Sequence, residues 1–319
     1  YLDDASERGD ADRTVLCYRK ATASGWSDPV RVQDDGTGDY SFALLEAPDG
    51  LYVLWQNTTT SFGNACDSLQ TMQKAIGLTA AKITASGVQK TWTLNTTRNR
   101  MPVLPALALN EGGVTAVWAE NTTNALDGSG TNTIYAQTLD GKRSVYATLD
   151  CPILTLQAGT FDGNFTVAWT QDMDGDMSTT ADREICICCG GQTTRLTDND
   201  VLDSNPQFVP ADESGALIWY CGNNFLYLTD PAGTPASVLE NPSGSISDNY
   251  QICASDGRAV LIFRNSYTVG DVCSETLYGT TFDGASWTDP AAYVMSNEKI
   301  GSMDVLCSTG GATSLAYTL

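Results

Sequence analysis

Histidine is absent from the 319 residues. Without an imidazole there is no Ser-His-Asp or Cys-His relay, no HExxH zinc site and no imidazole pH switch. Positive charge is scarce as well. Seventeen Lys and Arg stand against 38 Asp and Glu, a formal net charge of −21, which opposes binding to nucleic acid or to an anionic membrane surface. Charged residues make up 17% and apolar residues 42%, the balance of a folded domain and not of a disordered tail or a solvated coiled coil. No apolar run reaches the ~18 residues of a transmembrane helix, so no membrane insertion is expected. The chain opens at Tyr1 with neither a basic segment nor an apolar leader behind it, which reads as a mature or excised segment.

What is present is a repeat. Short apolar runs end in an aromatic residue after a Gly-containing turn: Pro48-Asp49-Gly50 to Trp55, Glu111-Gly112-Gly113 to Trp118, Phe161-Asp162-Gly163 to Trp169, and Glu213-Ser214-Gly215 to Trp219. Two weaker copies run from Ser255-Asp256-Gly257 to Phe263 and from Thr309-Gly310-Gly311 to Tyr317. The aromatic positions are 63, 51, 50, 44 and 54 residues apart, so six units cover the chain. Runs such as Val114–Trp118 and Phe165–Trp169 are short, β-branched and aromatic, which is strand chemistry. Only Leu69 to Ala81 reads as helical, for a turn or two. The second unit divides into four strands, Pro102–Leu109, Gly113–Ala119, Asn132–Leu139 and Lys142–Leu149. Four-stranded sheets repeated at this period predict an all-β fold, a six-bladed β-propeller with antiparallel blades. The N-terminal runs Arg13–Lys20 and Trp26–Val32 match the outer half of a blade, and Ser302–Ser308 with Ala312–Thr318 match the inner half. One domain, 1–319, is therefore expected, its sixth blade shared by about 13–32 and 302–318 so that the ring leaves no sheet edge.

Two outer-strand copies, Gly25-Trp26-Ser27-Asp28-Pro29 and Ser286-Trp287-Thr288-Asp289-Pro290, follow the same plan, the second after the turn Phe282-Asp283-Gly284-Ala285. These segments resemble the degenerate, Asp-box-like repeats of sialidase-like six-bladed propellers, and the resemblance is spread over the whole chain. It implies the fold. The family's Ser-x-Asp-x-Gly-x-x-Trp box is not met, because Asp283 lies one residue too close to Trp287. Arg100-Met101-Pro102 is similar to the family's Arg-Ile-Pro segment but falls in the second blade. No motif places the arginine triad or the tyrosine–glutamate pair that a catalytic sialidase needs.

Long insertions fall on one side of the predicted ring: Gln56–Ala75, Glu120–Thr131, Thr170–Arg183 and Arg264–Ser274. Elaborated loops over a rigid scaffold are where ligands are usually met. Residues where inner strands begin and second strands end should rim that face: Asp39, Tyr40, Gln56, Arg100, Glu120, Gln171, Asp248, Tyr250 and Arg264. Aromatic faces stacking on C–H groups, with polar groups pairing to hydroxyls, suit a sugar. The regular tryptophans are expected instead to pack between neighbouring sheets. In the third unit Asp172, Asp174, Asp176 and Asp182 alternate as carboxylates that can wrap a hard cation, calcium being the expected ion. Glycine is fourth and Arg183 twelfth in that run, so it is not an EF-hand loop.

Ten cysteines allow up to five disulfides. Cys253 and Cys307 fall in inner strands, where a thiol serves as a small hydrophobe. Cys66, Cys221 and Cys273 lie in or beside the elaborated loops and are the better bridge candidates, with no pairing assigned. Cys186, Cys188 and Cys189 share a strand but not a face, which argues against one zinc. Four Asn-x-Thr patterns begin at Asn57, Asn95, Asn121 and Asn164. The reading that follows is an extracellular or cell-surface binding module. It is non-catalytic, needs no cofactor beyond a calcium-type ion, and recognises a glycan or glycoprotein through the long-loop face. The chain would act as a monomer or as one domain of a larger protein. The alternatives are a glycoside hydrolase or lyase using Asp39, Glu120, Asp172, Asp248 or Glu275, and a structural spacer.

Overall fold

Five four-stranded antiparallel sheets follow one another along the chain, each a simple meander with its strands in sequence order. This is a computed structural model, and it describes every residue except 24, 210–213, 241, 243, 256, 270, 271, 308–312 and 319; for 268, 269, 272 and 273 it describes the backbone alone. Glu213, Asp256 and Thr309–Gly311 of the repeat, and the Cys273 side chain, therefore lie outside the described residues. The chain divides into two compact units, Tyr1–Leu156 and Gln157–Leu319.

In the first unit, sheet one consists of Asp39–Ala47, Gly50–Thr58, Ile76–Thr84 and Gly87–Thr93. Sheet two consists of Pro102–Asn110, Gly113–Asn121, Asn132–Thr138 and Ser144–Leu149, within two residues of the sequence expectation at every boundary. Sheet three, whose first strand Ile153–Phe161 contains the division between units, continues with Asn164–Asp172, Arg183–Cys189 and Gln192–Arg195. Sheet four (Asp203–Val209, Ala216–Cys221, Asn224–Leu228, Ala236–Ser237) and sheet five (Ser245–Ser255, Arg258–Val269, Val272–Phe282, Ala291–Ser296) belong to the second unit. The helical stretch is Leu69–Ala75, with the Ser68 hydroxyl capping its N-terminus by accepting from Thr71 N–H. From Ile76 the chain is strand.

Burial explains why the second strands are continuous apolar runs and not alternating ones. In Gly113–Asn121 every residue from Thr115 onward is buried, and Gln192–Arg195 at the other end of a meander is exposed throughout. A strand covered on both faces has no solvent side on which to alternate. Trp55, Trp118, Trp169 and Trp219 are each fully buried, at 0% exposure, in the packing role expected of them. Small residues beside them, Ala80, Ala116 and Ala168, leave room for the indoles. Truncating any of these tryptophans to Ala costs about 3–5 kcal/mol. Tight turns close the inner hairpins. At Gly50, φ is +147°, and a Cβ there would lie 2.8 Å from the Ile83 carbonyl oxygen, so only glycine fits.

Among the described residues, the strands expected to share the sixth blade do not pair in one sheet. Thr14–Tyr18 pairs with Val30–Arg31 on one edge, as an outer half-blade should. Its other edge, where an inner strand was expected, is taken by Leu2–Asp4, with Leu2 opposite Leu16. Gly25–Trp26 leaves the outer strand and makes a separate two-residue hairpin with Ala21–Thr22. Met303–Cys307 and Thr313–Tyr317 form a two-stranded sheet of their own in the second unit. Three extended residues at the N-terminus are enough to occupy this strand edge. Nothing in the repeat pattern marks them as a strand.

A second correction concerns cysteine. Cys253 and Cys307 are not free thiols but a disulfide, with Cα atoms 5.7 Å apart and 54 residues between them. Each lies ten residues before the repeat aromatic of its own unit, Phe263 and Tyr317. Equivalent positions on neighbouring inner strands are thus brought together. By loop-closure entropy such a bridge stabilises by about 4 kcal/mol.

Candidate functional site

The polar residues flanking the repeat tryptophans hold the fold. Trp55 donates its indole N–H to Asp39 Oδ1 at 2.8 Å, while Asp39 Oδ2 accepts from Leu16 N–H at 2.8 Å. Trp118 donates to Glu120 Oε1 at 2.9 Å, and the same oxygen accepts from Thr97 N–H. Trp169 donates to Gln171 Oε1 at 3.2 Å, and Trp219 to Asp203 Oδ1 at 2.8 Å. A buried indole N–H requires an acceptor, and a carboxylate serving as one must fill its remaining lone pairs. Burial pushes the Asp39 carboxyl up to about 6, against the pull of its two donors. Asp203 is not singled out by the sequence reading, yet its spacing from Trp219 equals that of Asp39 from Trp55, 16 residues. That shared offset is the signal that would have found it.

Other expected rim residues are engaged in the same way. Gln56 is buried and donates from Nε2 to the Pro102 carbonyl. Tyr250 is fully buried. Its hydroxyl donates to the carbonyls of Asn205 and Ile218, and burial pushes its pKa well up. Arg264 donates to the Ile300 carbonyl at 2.9 Å and to Ser247 Oγ, with Glu275 3.9 Å away. Tyr40 is half-buried, its hydroxyl 3.4 Å from the Ala11 carbonyl. Asp248 is exposed and accepts from Ser204 Oγ. Arg100 is half-buried and its side chain makes no hydrogen bond or ion pair among the described residues.

The long connections are also more ordered than their polarity suggests. Asp12, 1% exposed, accepts from Phe62 N–H, Gly63 N–H and Ser61 Oγ at 2.7–2.9 Å, pinning the segment before the helix. Asn121 Nδ2 donates to the Ser129 carbonyl and to Asn132 Oδ1, folding 122–131 onto its own strand ends. Of the expected insertion Arg264–Ser274, residues 264–269 and 272–274 are paired strand, because Arg258–Val269 and Val272–Phe282 pair along their length. Cys221 closes a tight turn opposite Asn224, and burial beside Asp203 pushes its thiol to about 12. Of the Asn-x-Thr patterns, Asn57 and Asn121 are buried and hydrogen-bonded, whereas Asn95 and Asn164 are exposed.

Three cavities differ in chemistry. In the first unit a groove of about 520 Å³ is lined mostly by apolar groups, among them Leu16, Trp26, Val32, Phe42 and Val53. In the second unit a cavity of about 270 Å³ is lined by Gln157, Asn205, Gln207, Asn249 and Gln251, with Ala158, Phe208 and Tyr250. These residues come from the first strands of sheets three, four and five. Two of those strands carry a bulge there, between Ser204 and Gln207 and between Ile246 and Tyr250. The bulge puts Asn205 at φ +53°, a conformation asparagine tolerates, and re-aims neighbouring side chains out of the ladder. Asn205 and Gln207 donate their amide N–H groups to the Asp248 and Tyr250 carbonyls at 2.9 Å. Gln157 and Gln251 have no side-chain bond among the described residues.

A third cavity, about 400 Å³, is acidic, lined by Asp174, Asp182, Glu184, Asp198 and Asp200 with Arg195. Of the four expected metal ligands, Asp172, Asp174 and Asp182 each bring one carboxylate oxygen within 4.8 Å of the others. Asp176 turns away and accepts from Ser178 N–H and Oγ.

No family description and no curated protein matches the chain. Solved structures do. The chain is similar to a puromycin-hydrolyzing peptidase of Mycobacterium tuberculosis at 10% identity and a TM-score of 0.52, over 87% of this chain and 45% of that one. It is similar to a Trypanosoma rangeli sialidase mutant displaying trans-sialidase activity at 12% identity and 0.48, over 99% and 58%. TolB from Acinetobacter baumannii follows at 13% and 0.47, over 91% and 65%. The chain thus spans about half to two thirds of the length of these proteins. Of the three, the peptidase alone exceeds a TM-score of 0.5, and at that identity the likeness concerns the fold, repeated antiparallel blades of propeller type, and no chemistry.

Proposed function

We propose that this protein is a non-catalytic binding module that takes a neutral glycan, free or on a glycoprotein. The observation carrying the reading is the amide-lined cavity of the second unit. Gln157, Asn205, Gln207, Asn249 and Gln251 offer acceptors and donors without a charge, beside the aromatic Phe208. Sugar hydroxyls pair with amides in both directions, and a half-buried aromatic face suits C–H groups. The cavity lies along the middles of the first strands of sheets three, four and five. It is built from residues other than the expected rim residues, Tyr250 excepted.

The hydrolase alternative loses ground on the same geometry. None of Asp39, Glu120, Asp172, Asp248 and Glu275 lines the amide cavity or the acidic one, so neither of these two cavities sets two of them across a glycosidic bond. An extracellular or cell-surface location fits the Cys253–Cys307 bridge, and among the described residues no helix is long and apolar enough to cross a membrane. The six-unit count is kept on the strength of the sequence repeat. A glycan array probed with wild type and with a Gln157→Ala/Gln251→Ala variant tests the site. Binding to a defined set of neutral glycans, weakened about tenfold in the variant, is expected. Equal binding by both proteins, or no binding by either, would sink the reading.

A further inference from the structure

The strand ends that flank the connection between Asn164–Asp172 and Arg183–Cys189 hold buried carboxylate oxygens that lack hydrogen-bond partners. Asp172 is fully buried, at 0% exposure. Its Oδ1 accepts from Gly175 N–H at 2.8 Å, but Oδ2 has no hydrogen-bond partner. Oδ2 makes an ion pair with Arg183 Nε at 3.6 Å, too long for a hydrogen bond, and Nε likewise has no hydrogen-bond partner. Glu184, 2% exposed, shows the same pattern: Oε1 accepts from Asn199 N–H, and Oε2, in the acidic cavity's wall, has no partner. Leaving a buried carboxylate oxygen unpaired is strongly unfavourable. Two such residues flanking one connection, beside a cavity of five carboxylates and one guanidinium, call for a positive partner of small size.

We propose that this connection binds one calcium-type divalent cation through carboxylate oxygens of Asp172, Asp174 and Asp182. The inference does not depend on the glycan reading. Three carboxylate oxygens mutually within 4.8 Å need only small side-chain shifts to meet one ion, and Ca²⁺, with flexible geometry at about 2.3–2.6 Å, accommodates such a set more readily than Mg²⁺, which demands a near-ideal octahedron at about 2.1 Å. Oxygen donors alone, with no sulfur or imidazole, select a hard ion. Internal hydrogen bonds already hold the loop in this shape. Asp182 Oδ2 accepts from Met173 and Asp174 N–H, and Thr179 Oγ1 donates to Asp182 Oδ1. Asp174 and Asp182 therefore stay beside Asp172 before any ion arrives.

The test is calorimetric titration of the full chain with CaCl2 and, separately, MgCl2 at physiological ionic strength, with melting curves in CaCl2 and in EGTA. Asp174→Asn is the informative variant, because Asp174 is exposed and its loss spares the core. Asp176→Asn is its control, since an amide oxygen still accepts from Ser178. Wild type should bind one Ca²⁺ with a higher melting temperature than in EGTA, and Mg²⁺ more weakly. Asp174→Asn should weaken binding about tenfold or more and Asp176→Asn less than about twofold. Absence of saturable binding by folded wild type overturns the proposal. So does equal affinity in Asp174→Asn and wild type, and so does equal weakening in both variants, which would mean a diffuse acidic surface.

Discussion

Replacing Asp39 by Asn separates the two consequences of burying a carboxyl group against an indole. Asp39 is 3% exposed and sits between two donors, Trp55 Nε1 and Leu16 N–H. Burial raises its pKa from 3.8 to about 6. A carboxyl whose folded pKa is raised holds its proton more tightly when folded, so its stabilising share is complete below about pH 4 and is lost as pH climbs through about 6. The gap between the unfolded and folded values is equivalent to about 3 kcal/mol. The Asn variant cannot titrate, and it also turns an N–H₂ toward one of the two donors, a pH-independent loss of about 1–3 kcal/mol. Chemical denaturation of both proteins from pH 4 to 7 reads the difference. Wild-type stability should fall relative to the variant by about 2.4 kcal/mol over that window, since some of the loss has already occurred at pH 4, equivalent to about 5–10 °C in melting temperature for a unit of this size. A wild-type-minus-variant difference that stays flat from pH 4 to 7 would refute the burial argument, whatever the absolute stabilities.

Two further outcomes follow from the same packing. Trp219→Phe keeps most of the buried ring, as Phe263 does in sheet five, but strands Asp203 Oδ1; a loss of about 1–3 kcal/mol is expected by urea titration, and Asp203→Ala in the same background should then cost less than it does in wild type. Replacing both Cys253 and Cys307 with Ala should lower stability by about 4 kcal/mol, with intact-mass measurement after alkylation showing two fewer protected thiols; an unchanged melting curve would contradict the bridge.

Much of the architecture was legible in the chain. The buried aromatics Trp55, Trp118, Trp169, Trp219 and Phe263 (Tyr317, the sixth of the repeat, is exposed), and the boundaries of Pro102–Asn110 through Ser144–Leu149, follow from short-range chemistry: a β-branched run between turn residues has one way to lie. The short strand Leu2–Asp4 was not legible, since its place depends on an edge offered by residues 14–18 and not on its own composition. The Cys253–Cys307 pair was hidden for a related reason. Each cysteine sits at an ordinary core position, and only the stacking of equivalent strands puts their sulfurs together.

For the candidate sites the division is sharper. Sequence alone determined that histidine chemistry is absent, that the surface is acidic, and that Asp172, Asp174 and Asp182 share one short connection. Tertiary structure decided which polar side chains are free. Asp39, Glu120 and Gln171 look like rim residues in the sequence and prove to be acceptors for buried indoles, while Gln157, Gln207 and Gln251, unremarked in the sequence, face a shared cavity. A polar side chain has the same composition whether it faces solvent or a buried N–H. What it can bind is set by the donors and acceptors that packing leaves beside it.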